Sequence, residues 1–129
     1  MKHLTLLTLL AFAAPFGWGE EVFVGKPIAW VVMSGDKVHR TVLTGSKQSE
    51  FQSVVVKMDG RYFWQSREMK ELERHERGRF VTFLATDGTG YIKIDSSVAL
   101  DSSTSQRTAY IEHLLLGLNT STYQGWVVK

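Results

Sequence analysis

The side chains best spaced to do chemistry lie in one polar segment, Arg67 to Arg79. Its conformation is left open: read as a helix it carries three stripes, because residues three and four apart share a helix face, and read as extended it carries none. Arg67, Lys70, Arg74 and Arg77 line one side, and Glu68, Glu71 and His75 line the next. Met69 and Leu72 supply a narrow apolar contact. Zinc accepts imidazole nitrogen and carboxylate oxygen, and a carboxylate beside a histidine can also move protons. Glu68, Glu71 and His75 are therefore candidate ligands for a divalent metal, with metal-dependent hydrolysis as the activity they would serve. The basic stripe is a candidate surface for an acidic protein or an anionic envelope component. A plainer reading carries more weight. Glu71 with His75 and Glu73 with Arg77 are i,i+4 pairs of the polarity that supports a solvated helix, and mixed charges on such a helix pair with their own neighbours.

A second candidate binding surface is aromatic. Tyr62 and Trp64 share a face of a hairpin with Val55, and an exposed face of that kind suits a protein or carbohydrate partner. For Trp64, packing in a core is the reading that carries more weight. Other chemistries lack their signatures. No serine sits in a G-x-S-x-G elbow, and no phosphate loop or H-E-x-x-H pair occurs. Gly88-Thr89-Gly90 reads as a turn, because no helix follows it. Beyond His3, the histidines are His39, His75 and His113, and each reads as structural or solvent-exposed. The chain has no cysteine, which excludes disulfides, thiol catalysis, cysteine-bound zinc and a lipid anchor on a cleavage-site cysteine.

The elements that must position these groups begin after an export signal. Lys2 and His3 are followed by an apolar run from Leu4 to Ala14, too short to span a bilayer, which needs about 20 residues. Pro15 breaks the run, and Gly17 and Gly19 are the small residues expected before a cleavage site. Residues 1–19 read as a signal peptide, and 20–129 as a single domain that is periplasmic or extracellular and keeps no integral membrane anchor. The 15 Lys and Arg against 13 Asp and Glu give a formal charge of +2, and loss of Lys2 leaves +1. So small an imbalance does not favour nucleic-acid binding.

Ile28 to Met33 is a valine-rich run that reads as a buried strand, with Val38 to Leu43 a weaker strand after the turn at Ser34-Gly35-Asp36. Thr44 to Ser49 is a polar loop. Phe51 to Met58 and Arg61 to Gln65 flank Asp59-Gly60, the dipeptide of a type I′ hairpin. That turn sets Val56 opposite Phe63 and Val55 opposite Trp64. A second hairpin joins Phe80–Ala85 to Tyr91–Ile94 and sets Phe83 opposite Ile92 and Val81 opposite Ile94. Asp95 to Thr108, rich in serine and threonine, reads as a surface loop. Tyr110 to Leu118 places Tyr110, Ile111, Leu114, Leu115 and Leu118 on one helical arc. Tyr123 to Val128 is a short β-prone run suited to an edge strand.

The expected fold is α+β: an antiparallel sheet of five or six strands built from hairpins, with one C-terminal helix docked on one face. A small open β-barrel closed by the last strand is the alternative. The expected function is that of a small exported, non-enzymatic binding or envelope-associated module needing no cofactor. A metal-binding protein or metal-dependent hydrolase is one alternative, and an envelope component that self-associates through Tyr123–Val128 is another.

Overall fold

The computed structural model describes residues 19–96 and 108–128. The expected leader, Gly19 apart, and positions 97–107 of the expected surface loop lie outside the described residues.

Turn chemistry builds most of the molecule. Asp59 and Gly60 both adopt positive φ, 53° and 76°, as a type I′ turn requires. They join β3 (Ser53–Met58) to β4 (Arg61–Trp64), with Val56 opposite Phe63 and Val55 opposite Trp64 as expected. Gly78 turns β5 (Lys70–Arg77) into β6 (Phe80–Ala85), and β6 pairs with β7 (Gly90–Asp95) in the expected register, Phe83 opposite Ile92 and Val81 opposite Ile94. Gly117 turns β8 (Ala109–Leu116) into β9 (Asn119–Val127). Each strand follows its neighbour antiparallel, from β3 through to β9.

Closure depends on β1 (Glu20–Ser34), which pairs with β3 through its first half and with β9 from Gly25 to Met33. The result is a closed antiparallel barrel of eight strands. Its register shifts between Glu21 and Phe23 and again between Pro27 and Ala29. Such bulges bend a strand, and Pro27, which has no N–H to donate, sits at the second. Beyond the bend, β1 turns at Gly35-Asp36 into β2 (Lys37–Val42), which flanks the barrel. A single helical turn, α1 (Ser46–Glu50), lies in the expected polar loop.

The barrel alternative is therefore the correct architecture, and the α+β sheet with a docked helix is not. Strand accounts for 69% of the structure, and among the described residues no helix reaches seven residues. The expected helix over Tyr110–Leu118 is β8 and its turn. Its apolar residues fit a two-residue period as well as a helical one: Tyr110 and Leu114 point into the barrel, while Ile111 and Leu115 face out. The residue inside that alternation, Glu112, is fully buried, which a solvent-facing helical position would not allow. Arg67–Arg79, whose conformation the sequence leaves open, is not the helix that would align its stripes. A 3-10 turn at Gln65–Arg67 gives way to Glu68 and Met69, both at positive φ, and then to β5. Tyr123–Val128 is no edge either, because β9 is paired on both sides, with β8 and β1.

The interior is filled by Phe23, Val55, Trp64, Leu72, Phe83, Ile92, Tyr110 and Tyr123. Eight-stranded barrels are just wide enough to be filled this way or to keep room for one small ligand. Where β1 crosses β9, the backbones approach so closely that a Cβ on Gly125 would run into the Lys26 carbonyl oxygen and the Pro27 Cα. Gly25 is similarly confined, with the Tyr110 ring 2.5 Å from where its Cβ would stand. We therefore expect Gly125→Ala to cost at least about 2 kcal/mol, at the upper part of the overpacking range, because its neighbours are backbone and cannot swing away. Urea unfolding of the variant measures this. A variant as stable as the parent would contradict the closed β1–β9 seam.

Candidate functional site

Because the chain meanders, alternate turns fall at opposite ends of the barrel. The turns β3–β4 and β5–β6, the start of β1 and the ends of β7 and β9 lie at one end, here the near end. The turns β4–β5, β6–β7 and β8–β9 lie at the far end.

A buried carboxylate organises the far half. Glu112 has no exposed surface. One of its oxygens accepts hydrogen bonds from the Ser53 hydroxyl at 2.7 Å and from the Trp64 indole N–H at 3.0 Å. The other accepts from the Arg67 guanidinium at 2.5 Å. An ion cannot be buried cheaply without such partners. Arg67 also lies over the Tyr123 ring, 5.2 Å from its centroid, and that ring stacks on Trp30, which stacks on Phe51. Burial works against the Arg67 charge, but the Glu112 carboxylate and Tyr123 outweigh it, so its pKa stands above the ordinary value. Burial, and then the charge of Glu112, hold the Tyr110 phenol well above the ordinary tyrosine range.

The far-end cations are thus committed. A hollow of about 430 Å³ lies there, walled in part by Arg67, Lys70, Leu114 and Tyr123. Arg67 serves Glu112, and Lys70 donates to Asp87 at 2.8 Å and to the Thr89 hydroxyl at 2.9 Å. The bonds from Lys70 and from the Thr89 hydroxyl and N–H lower the Asp87 carboxyl to about 2.

The near end is different. A hollow of about 510 Å³ opens between Val22, Phe23, Tyr62, Val81, Phe83, Ile94 and Val127, with Glu20, Lys57 and Arg74 also lining it. Tyr62 packs against Phe83 with ring centroids 5.3 Å apart. Lys57 lies 5.6 Å over the Tyr62 ring and makes no ion pair among the described residues. Arg74 makes one exposed contact, 3.1 Å to Glu76. This is an open hollow of mixed lining, with aliphatic and aromatic side chains between two cations and one acid, of the size of ordinary small-molecule pockets.

The expected stripes of Arg67–Arg79 do not exist, because a strand alternates. Arg67 and Lys70 go to the far end, Arg74 lines the near hollow, and Arg77 is exposed at the last position of β5. Glu68 lines the far hollow. Glu71 forks to Arg61 through oxygens 2.8 and 2.9 Å from its nitrogens, and His75 lies 3.4 Å from a Glu73 oxygen. Glu71 and His75 are four positions apart along a strand, about 13 Å of rise, too far for one ion to bridge. No group of three His, Asp or Glu side chains able to hold a metal occurs among the described residues. Of the two aromatics, Tyr62 lines the near hollow, whereas Trp64 is fully buried and donates to Glu112. The expectations missed Glu112, Ser53 and Lys57. For Glu112 a signal existed: it is the lone acid inside the apolar run from Tyr110 to Leu116.

Comparison with protein-family models, with curated proteins and with solved structures found no match for this chain.

Two outcomes test this geometry. Glu112→Gln should destabilise the protein by about 2–3 kcal/mol in urea unfolding, somewhat below the usual figure for breaking a buried pair because Arg67 is 24% exposed. Combining it with Arg67→Met should cost less than the sum of the two single changes, since the pair is then removed whole. A loss under about 1 kcal/mol, or strict additivity, would contradict the buried pair. For Asp87, a carboxyl-detected NMR titration should give a midpoint near 2 instead of the ordinary 3.8. Its folded-state value is depressed, so the stability it contributes is full above 3.8 and is lost as pH falls through about 2. Lys70→Ala should return the midpoint toward 3.8, and a normal midpoint in the parent protein would remove the Lys70 bond from the description.

Proposed function

We propose that this chain is a non-enzymatic binding module of the cell envelope or exterior, and that its ligand seat is the near-end hollow. The ligand is a small amphiphile with an apolar body and an anionic head, such as a medium-chain carboxylate. The observation that carries this reading is the contrast between the two ends. The far-end cations Arg67 and Lys70 are neutralised by Glu112 and Asp87. At the near end, Lys57, opposite Glu20 in the β1–β3 ladder, makes no ion pair among the described residues, and it lines a hollow with Arg74, whose one ion pair is the exposed contact to Glu76, and with Val22, Val81, Phe83, Ile94 and Val127. Apolar walls favour removal of a hydrocarbon body from water, and a cation at the wall favours a carboxylate head through a charge-assisted hydrogen bond. The export part of the reading rests on the apolar run Leu4–Ala14 and the small residues after it.

Titration of the purified protein with decanoate and with decyltrimethylammonium, followed calorimetrically, tests the proposal. The two share an apolar tail and differ in the sign of the head. Decanoate should bind at least about tenfold more tightly, the value of one charge-assisted hydrogen bond. Lys57→Gln combined with Arg74→Gln should remove that preference while leaving the near-ultraviolet circular dichroism unchanged. Equal binding of both heads, or no binding of either, would contradict the assignment.

A further inference from the structure

β2 is the one strand among the described residues with an open edge. Every strand of the barrel is paired on both sides, whereas β2 pairs with β1 alone and all six of its residues are exposed. The two-residue turn at Gly35-Asp36 fixes which backbone groups face the open side. Ser34 and Lys37 flank that turn, so they form a hydrogen-bonded pair, and the pattern alternates from there. Lys37, His39 and Thr41 spend their N–H and C=O groups on β1. Val38, Arg40 and Val42 direct theirs to the open edge. That is a ready ladder for one more antiparallel strand.

The side chains of the same three residues specify what that strand carries. Val38, Arg40 and Val42 pair with Met33, Val31 and Ala29, so they lie on the outward face of the sheet. Val38 is 61% exposed and Val42 68%, with the Arg40 cation between them. The strand has no acid of its own. The apolar surface continues from Val38 across Met33 and Thr120 to Leu115, which are cross-strand neighbours on one face, and Met33 and Leu115 are themselves 49% and 45% exposed.

A second copy of this chain fits poorly. The antiparallel register that uses all three open residues would set Arg40 opposite its own counterpart, and like charges directly opposite destabilise a ladder. An acid in that place has the reverse effect. We infer that the open edge of β2 receives an extended segment of a partner protein with the pattern apolar, any, acid, any, apolar: the acid opposite Arg40 and the apolar residues opposite Val38 and Val42. Main-chain hydrogen bonds supply affinity in this mode, and alternate side chains supply choice of partner. Arg40 and Lys37 then have two consequences. They admit an acidic strand, and they repel basic ones that would otherwise add to the edge. This surface is separate from the near-end hollow and does not depend on it.

The test uses the purified protein and two capped peptides, Thr-Val-Thr-Glu-Thr-Val-Thr and the same peptide with Lys for Glu. Amide chemical shifts and hydrogen exchange are followed by NMR. The acidic peptide should shift Val38, Arg40 and Val42 and slow exchange of their amides, and the lysine peptide should bind about tenfold more weakly. Arg40→Glu, an exposed change that leaves the barrel core untouched, should reverse the order of the two peptides. Three results would overturn the inference: no shift at these amides with either peptide at millimolar concentration, equal binding of both, or protection of the three amides by protein concentration alone, which would assign the edge to a second copy.

Discussion

The carboxylate of Glu112 sits inside the barrel with no access to water, and the far half of the molecule is arranged to make that tolerable. Its three donors come from β3, from β4 and from the turn that follows β4. The carboxylate on β8 therefore links elements that lie across the interior and far apart in sequence. The turn must bring Arg67 inward, and it does so through a 3-10 segment followed by two residues at positive φ, Glu68 and Met69. For side chains other than glycine this conformation is costly, and it persists where the surroundings over-determine it. The charge pair between Arg67 and Glu112 is one such determinant, and the hydrogen bond from the Met69 N–H to the Trp64 carbonyl is another.

From this follows the division between the ends. Where Glu112 and Asp87 absorb the cations, the far hollow has little positive charge left to offer a ligand. The near hollow is lined by Phe23, Phe83 and their aliphatic neighbours together with Lys57, Arg74 and Glu20, and of these Lys57 makes no ion pair among the described residues. β1 connects the two halves. It begins at the near end against β3, bends at Pro27, and continues along β9 past the end of β3. Because it outruns β3, its free side there is taken by β2, and the sheet ends on β2. The bend that closes the barrel is thus also what leaves one edge open.

Local chemistry was legible in the sequence and long-range pairing was not. Asp59-Gly60 specifies its turn through the φ values it permits, and the register of the hairpin follows from that turn alone. Tyr110-Ile111-Glu112-His113-Leu114 satisfies a period of 3.6 and a period of 2 equally well, and only the donors on β3 and β4 decide between them. Those donors are 48 and 59 residues away in the chain. The charged segment misleads for a related reason. Spacings that align cations on a helix scatter them over both faces and both ends of a strand. Tyr62 and Arg74 were expected as binding residues and do line one hollow, but Val22, Lys57, Ile94 and Val127 join them only through closure of the sheet.

The central claim is that the barrel offers a ligand its near end and not its far end. Methyl-resolved NMR of the labelled protein during addition of decanoate addresses it directly. The account predicts that resonances of Val22, Val81, Ile94 and Val127 move together along one binding curve while those of Leu114 and Leu115 stay in place. Movement at Leu114 and Leu115 with none at the other four would contradict it, and would place the binding site beside Arg67 and Glu112.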